Sequence, residues 1–96
     1  MRNRYLVAYD VSDPKRLRLV FKAMLGFGDH LQYSVFRCDL SPQERILLME
    51  RVTPIINHAE DQVLIVDLGP AEGRARHCTT VLGRASPPPL RRAVVV

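Results

Sequence analysis

Ninety-six residues, 47% apolar and 25% charged, fit one compact domain and exclude wholesale disorder or a two-domain enzyme with a separate cofactor module. No run of about 18 apolar residues occurs, so no membrane span is expected. The net charge of +4 is uneven: residues 74–96 carry five arginines and no acid, whereas the rest of the chain is nearly neutral, a pattern that suits either a solvated tail or a nucleic-acid partner.

The N-terminus enters a strand pattern almost at once, with no signal-peptide core or cleavage site, so a cytoplasmic protein is expected. Cys38 and Cys78 fit reduced thiols and are too few for a disulfide scaffold or a cysteine-based zinc site. A chain this short buries only about two-thirds of its unfolded surface, so a core shared between two copies would help it.

Arg4 to Asp10 is apolar on both faces, with Tyr5, Val7 and Tyr9 on one and Leu6 and Ala8 on the other. That suits a strand covered by helices on one side and by a partner or second sheet on the other. A helix follows: Asp13 is a good N-cap, Pro14 fits the first helical position, and Leu17, Val20, Phe21, Met24 and Leu25 form an apolar stripe. Gly26 and Gly28 end it.

His30 to Leu40 is rich in β-branched and aromatic residues and reads as extended chain. It is long for one strand, and a kink near Ser34 would divide it. Ser41-Pro42-Gln43-Glu44 is a capping box that opens a second helix, with Leu48, Met49, Val52, Ile55 and Ile56 as its stripe and Pro54 as its stop. Asp61 to Leu68 is a further strand, broken by Gly69-Pro70, and Cys78 to Leu82 suits a short edge strand. These parts make an α+β fold, and the ferredoxin-like βαββαβ sandwich with a short extra C-terminal strand fits their order. The domain is expected over residues 1–85, with a Pro- and Arg-containing tail over 86–96.

No phosphate-binding glycine loop, dinucleotide fingerprint or H-E-x-x-H string is present, and His30, His58 and His77 lack metal-ligand spacing. The informative stretch is Tyr9-Asp10-Val11-Ser12-Asp13-Pro14-Lys15-Arg16. Asp10 closes the first strand, and a carboxylate there suits a hard cation such as Mg²⁺, which takes one or two carboxylates plus water and phosphate oxygens. One carboxylate per chain is thin for a metal site; a two-fold dimer would supply two. Arg16 and Arg18 stand in the first turns of the helix, where a phosphate backbone could be gripped. The same string is also ordinary turn and cap chemistry, Tyr5 and Tyr9 on a central strand suit the core as well as base stacking, and Ser34 suits a strand kink as well as a phosphate contact.

The strings YLVAYDVSDPKRLRLV, LQYSVFRCDLSPQE and DQVLIVDLG, in this order, resemble the Cas-two family of CRISPR-associated proteins over residues 4–69. The resemblance implies a ferredoxin-like protomer in a symmetric homodimer, with C-terminal segments adding strands across it. It further implies a part in CRISPR adaptation beside the Cas-one integrase, and Mg²⁺-dependent endonuclease activity on RNA or double-stranded DNA. Carried over, Asp10 is the catalytic, metal-binding aspartate, with one Mg²⁺ shared between two subunits. Tyr9, Arg16, Arg18, Ser34 and Phe36 match positions in or near the family's active-site strings and are expected to meet nucleic acid. Pro14, Leu17 and Arg37 depart from residues common in the family, and the Arg- and Pro-rich tail is this chain's own. Two alternatives stand beside this reading: a non-catalytic dimeric DNA-binding scaffold that bridges the integrase subunits, and a toxin ribonuclease of the virulence-associated protein D kind.

Overall fold

The computed structural model describes residues 1–84; the tail expected over 86–96 lies outside the described residues. The chain runs β1 (Asn3–Asp10), α1 (Pro14–Leu25), β2 (Asp29–Gln32), β3 (Val35–Leu40), α2 (Pro42–Val52), β4 (Gln62–Pro70) and a single 3₁₀ turn at Arg74–His77. The strands form one sheet in the order β2-β3-β1-β4, with every neighbour antiparallel. This is the ferredoxin-like βαββαβ arrangement. No helix among the described residues is long and apolar enough to cross a membrane.

Local chemistry accounts for the helix limits. The Asp13 carboxylate accepts the Arg16 N–H at 2.9 Å and caps α1, with Pro14 opening the helix. At α2 the Ser41 hydroxyl accepts the Glu44 N–H at 3.1 Å, while Glu44 accepts the Ser41 N–H at 2.9 Å. Glu44 also takes two hydrogen bonds from Arg2, and its pKa is held down at about 2, by Arg2 first and by the Ser41 N–H second. The helix ends at Val52, ahead of Pro54.

One face of the sheet carries the core. Tyr5, Val7 and Tyr9 of β1 and Phe36, Cys38 and Leu40 of β3 pack against Val20, Ala23 and Met24 of α1 and Leu48 and Val52 of α2. Burial pushes the Cys38 thiol up to about 12, so it stays protonated and inert at neutral pH, and neither cysteine is bridged. Two stripe residues behave otherwise than their spacing predicts: Leu25, the last residue of α1, and Met49, next to buried Leu48, are exposed.

The stretch from His30 to Leu40 is divided, as the kink near Ser34 predicts, by a two-residue turn at Tyr33-Ser34. Neither turn residue has a positive φ, which is why no Asn-Gly signal marks it. Gly28, just before β2, is required by close approach: an added Cβ would lie 2.3 Å from the Arg37 carbonyl and 2.6 Å from the Cys38 sulfur.

β4 continues past Gly69 to Pro70 through a bulge. Tyr5 pairs with Asp67 and Asn3 with Pro70, so β4 has an extra residue over that interval. Gly69 takes it up at φ +97°, and Asp67 accepts the Gly69 N–H at 2.8 Å and the Asn3 side-chain amide at 3.1 Å. The edge strand expected at Cys78–Leu82 does not form. After the 3₁₀ turn this segment finds no neighbouring strand among the described residues to supply ladder hydrogen bonds.

Among the described residues, no element covers the second sheet face. That face presents Leu6 and Ala8 of β1, Val35 of β3, and Leu64 and Val66 of β4, flanked by the Arg4–Asp39 and Arg37–Asp29 ion pairs.

Gly28→Ala is expected to destabilise the domain by about 1–3 kcal/mol, since the obstructing carbonyl belongs to the sheet backbone. Thermal unfolding followed by circular dichroism checks this; a melting temperature equal to that of the unaltered chain would contradict the close approach.

Candidate functional site

Asp10 is the last residue of β1, where its backbone pairs with Gln62 of β4. Strand alternation puts it on the uncovered face, in one row with Leu6 and Ala8. Its carboxylate is exposed and takes part in none of the ion pairs among the described residues. It is therefore free to accept a cation or a hydrogen-bond donor from outside the chain.

The β2–β3 turn lies alongside. The Tyr9 N–H donates to the Ser34 carbonyl at 3.1 Å, so Ser34 is brought to the end of β1 by its backbone. Tyr9 points to the opposite face from Asp10. Its ring is 5% exposed and stacks on Phe36 with centroids 6.2 Å apart. Its hydroxyl is buried without a hydrogen-bond partner, and its pKa is pushed up to about 12, by burial first and by the nearby Tyr33 second. Phe36 is fully buried. These two rings belong to the core of the folded chain, packed on its helix-covered face.

Arg16 is also committed. Its Nε donates to Asp61 at 2.8 Å, and its Nη2 reaches Asp61 at 3.3 Å and Glu60 at 3.2 Å. The Asp61 side chain has no exposed surface and also accepts the Asn57 N–H at 2.8 Å. The Arg16 guanidinium first, then that N–H and with a smaller share the Ser12 N–H, hold Asp61 below the usual aspartate range. One carboxylate thus ties the start of α1 to the loop that leads into β4. This clasp joins residues 45 apart in sequence, so no local spacing announced Asp61. Arg18, in contrast, is exposed and makes no ion pair among the described residues.

No group of three or more His, Cys, Asp or Glu side chains able to hold a metal ion occurs among the described residues. Asp10 supplies one free carboxylate, which fits Mg²⁺ only as half of a site. A second carboxylate and the remaining oxygen ligands would come from another subunit, from substrate phosphate and from water.

The clasp has a defined acid dependence. Asp61 has a lowered pKa in the folded chain, so its contribution is fully present above the ordinary aspartate value and is lost as pH falls through the lower folded value. Asp61→Asn is expected to lower the melting temperature at neutral pH and to flatten its decline between about pH 5 and pH 2. Thermal melts across that range check this, and superimposable curves would contradict it.

Comparison with known proteins gives the site its setting. The family model described as CRISPR associated protein Cas2 matches residues 2–74. The CRISPR-associated endoribonuclease Cas2 of Geobacter sulfurreducens is 47% identical over 97 residues, covering the whole of both chains. A relative of the same description from Rhodospirillum rubrum is 50% identical over 68 residues, 71% of this chain and 67% of that one. The crystal structure of Streptococcus pyogenes Cas2 superposes with a TM-score of 0.71 at 35% identity, covering 83% of this chain and 99% of that chain. A hypothetical protein from Thermus thermophilus gives 0.75 at 28% identity, covering 94% and 100%. With its fold, its first-strand aspartate and these matches in place, the chain belongs to the Cas2 family of CRISPR-associated proteins.

Proposed function

We propose that this protein is a Mg²⁺-dependent endoribonuclease that acts as a homodimer, with the Asp10 carboxylates of two subunits addressing one cation. The observation that carries the reading is the position of Asp10: an unpaired carboxylate at the rim of an uncovered apolar sheet face. The relatives that match along most of the chain are described as endoribonucleases.

Leu64 and Val66 are 53% and 38% exposed on that face, beside Leu6, Ala8 and Val35. A second copy laid on it would remove these side chains from water, and its two-fold axis would relate the two Asp10 residues. Mg²⁺, when bound, would supply Lewis-acid polarisation of a phosphoryl oxygen and favour the attacking water. Asp10 would hold it and set its place against the scissile phosphate. Arg18, exposed on α1, is available to the phosphate backbone, while Arg16 ties the start of α1 to the loop before β4 through Asp61. In the hydrolysis the water oxygen bonds to phosphorus, the phosphorus–oxygen ester bond breaks, and the departing oxygen takes up a proton.

A second reading is a non-catalytic scaffold that binds DNA beside the Cas-one integrase during spacer acquisition. It is favoured by the exposed Arg74, Arg76 and Arg84.

Asp10→Asn is expected to lower Mg²⁺-stimulated cleavage of single-stranded RNA by about 100-fold or more, the scale of losing a metal's charge stabilisation, and to leave the dimer intact. Cleavage that persists in the variant, or that chelation does not suppress, would overturn the nuclease reading. Leu64→Arg places a charge in the middle of the proposed subunit contact and is expected to yield a monomer by light scattering, with cleavage lost in step. A Leu64→Arg chain that remains dimeric would exclude this face as the contact.

A further inference from the structure

The sheet face that carries Asp10 changes character on one rung. Across β1 and β4, Leu6 stands opposite Val66, Ala8 opposite Leu64 and Asp10 opposite Gln62. Directly opposed residues of an antiparallel pair send their side chains to the same face, with Cβ atoms about 4.5–5.5 Å apart. The first two rungs are apolar on both strands, and the third is polar on both.

Gln62, the first residue of β4, is exposed, and its amide takes part in none of the side-chain hydrogen bonds among the described residues. Its backbone is held from two directions. It pairs with Asp10, and it follows Asp61, whose side chain has no exposed surface and accepts the Arg16 Nε–H and the Asn57 N–H, each at 2.8 Å. A free amide and a free carboxylate thus share one rung and one face on anchored backbone.

The two groups suit different parts of one ion. Mg²⁺ is bound by one or two carboxylates, gives up its waters reluctantly and keeps several of them. Those waters are strong donors and need acceptors, and an amide carbonyl oxygen is an acceptor without charge. Two Asp10 carboxylates already balance a divalent cation. Neutral acceptors in the next layer orient the waters without adding negative charge, so a phosphate can still approach.

We infer that Gln62 is a positioning residue, whose amide oxygen accepts a hydrogen bond from a water of the cation held by Asp10. This rests on the Mg²⁺ reading and deepens it: each subunit brings one charged and one neutral oxygen to the ion, where Asp10 alone brings only the charged one.

The test uses the full-chain dimer without RNA and Mn²⁺ as the probe, with the free ion counted by its electron paramagnetic resonance signal. The unaltered dimer is expected to bind one Mn²⁺, and Asp10→Asn to abolish that binding. Gln62→Met keeps the length of the side chain and removes the amide. It is expected to weaken Mn²⁺ binding by about 10- to 100-fold, the range for loss of a group that orients metal ligands, with the dimer and its melting temperature unchanged. Gln62→Glu keeps the acceptor, loses the N–H donors, and is expected to bind Mn²⁺ at least as tightly as the unaltered chain. Equal affinity of Gln62→Met and the unaltered chain would overturn the inference. So would weakened binding by Gln62→Glu, which would make the amide a donor, or dissociation of the dimer by Gln62→Met, which would make Gln62 a subunit contact. An unaltered chain that binds no Mn²⁺, or Asp10→Asn without effect, sinks the Mg²⁺ reading and the inference together. Gln62→Met without effect on a site that Asp10→Asn abolishes sinks the inference alone.

Discussion

β1 is hydrogen-bonded on both edges, to β3 and to β4, and its register is held from both sides. Its period of two then separates two sets of residues. Tyr5, Val7 and Tyr9 enter the core under the helices, while Arg4, Leu6, Ala8 and Asp10 face the other way. A slip of one residue would drive Arg4 and Asp10 beneath the helices and turn three core side chains outward, a cost no surface interaction here could offset. The same alternation that packs the core therefore delivers the Asp10 carboxylate to the opposite face.

Around that strand end the fold surrounds Asp10 with fixed parts and leaves the residue itself free. Ser34 is tied to Tyr9 through the backbone, and Arg16 and the Asn57 N–H are gathered on the buried Asp61 carboxylate. A free carboxylate on a rigid support loses little entropy when it takes a ligand, which is the condition for an effective site built from few groups. The reverse arrangement, with Asp10 paired inside the chain and the neighbouring turns loose, would give up both advantages.

Much of this was legible in the residues. Asp13-Pro14 and the Ser41–Glu44 box are local cap chemistry, and both helices begin where those residues place them. The alternation of Arg4 to Asp10 separated Tyr5, Val7 and Tyr9 from Leu6 and Ala8, and the structure keeps that division with the first set in the core. Where the sequence misled, tertiary geometry decided. Leu25 and Met49 lie on apolar stripes yet outside the contact with the sheet. Tyr9 and Phe36 carry motif positions, and their alternation phase puts them in the core. Asp61 reads as a strand residue on local grounds; its role depends on an arginine 45 positions earlier, which no window along the chain can see. The missing strand at Cys78–Leu82 is the same lesson in backbone terms, since extended chain becomes a strand only beside a partner edge.

The bulge in β4 has a further consequence. β4 forms one border of the sheet, and a straight border of nine residues would offer unsatisfied amides and carbonyls to any passing extended peptide. Here the regular pairing geometry stops at Asp67: Gly69 swings the backbone through a left-handed conformation, and Pro70 has no amide hydrogen to give. Only the segment before Asp67 can accept an added strand in good register. Sheet-by-sheet growth into amyloid-like fibrils is curtailed at that border by the adjacent Gly69 and Pro70.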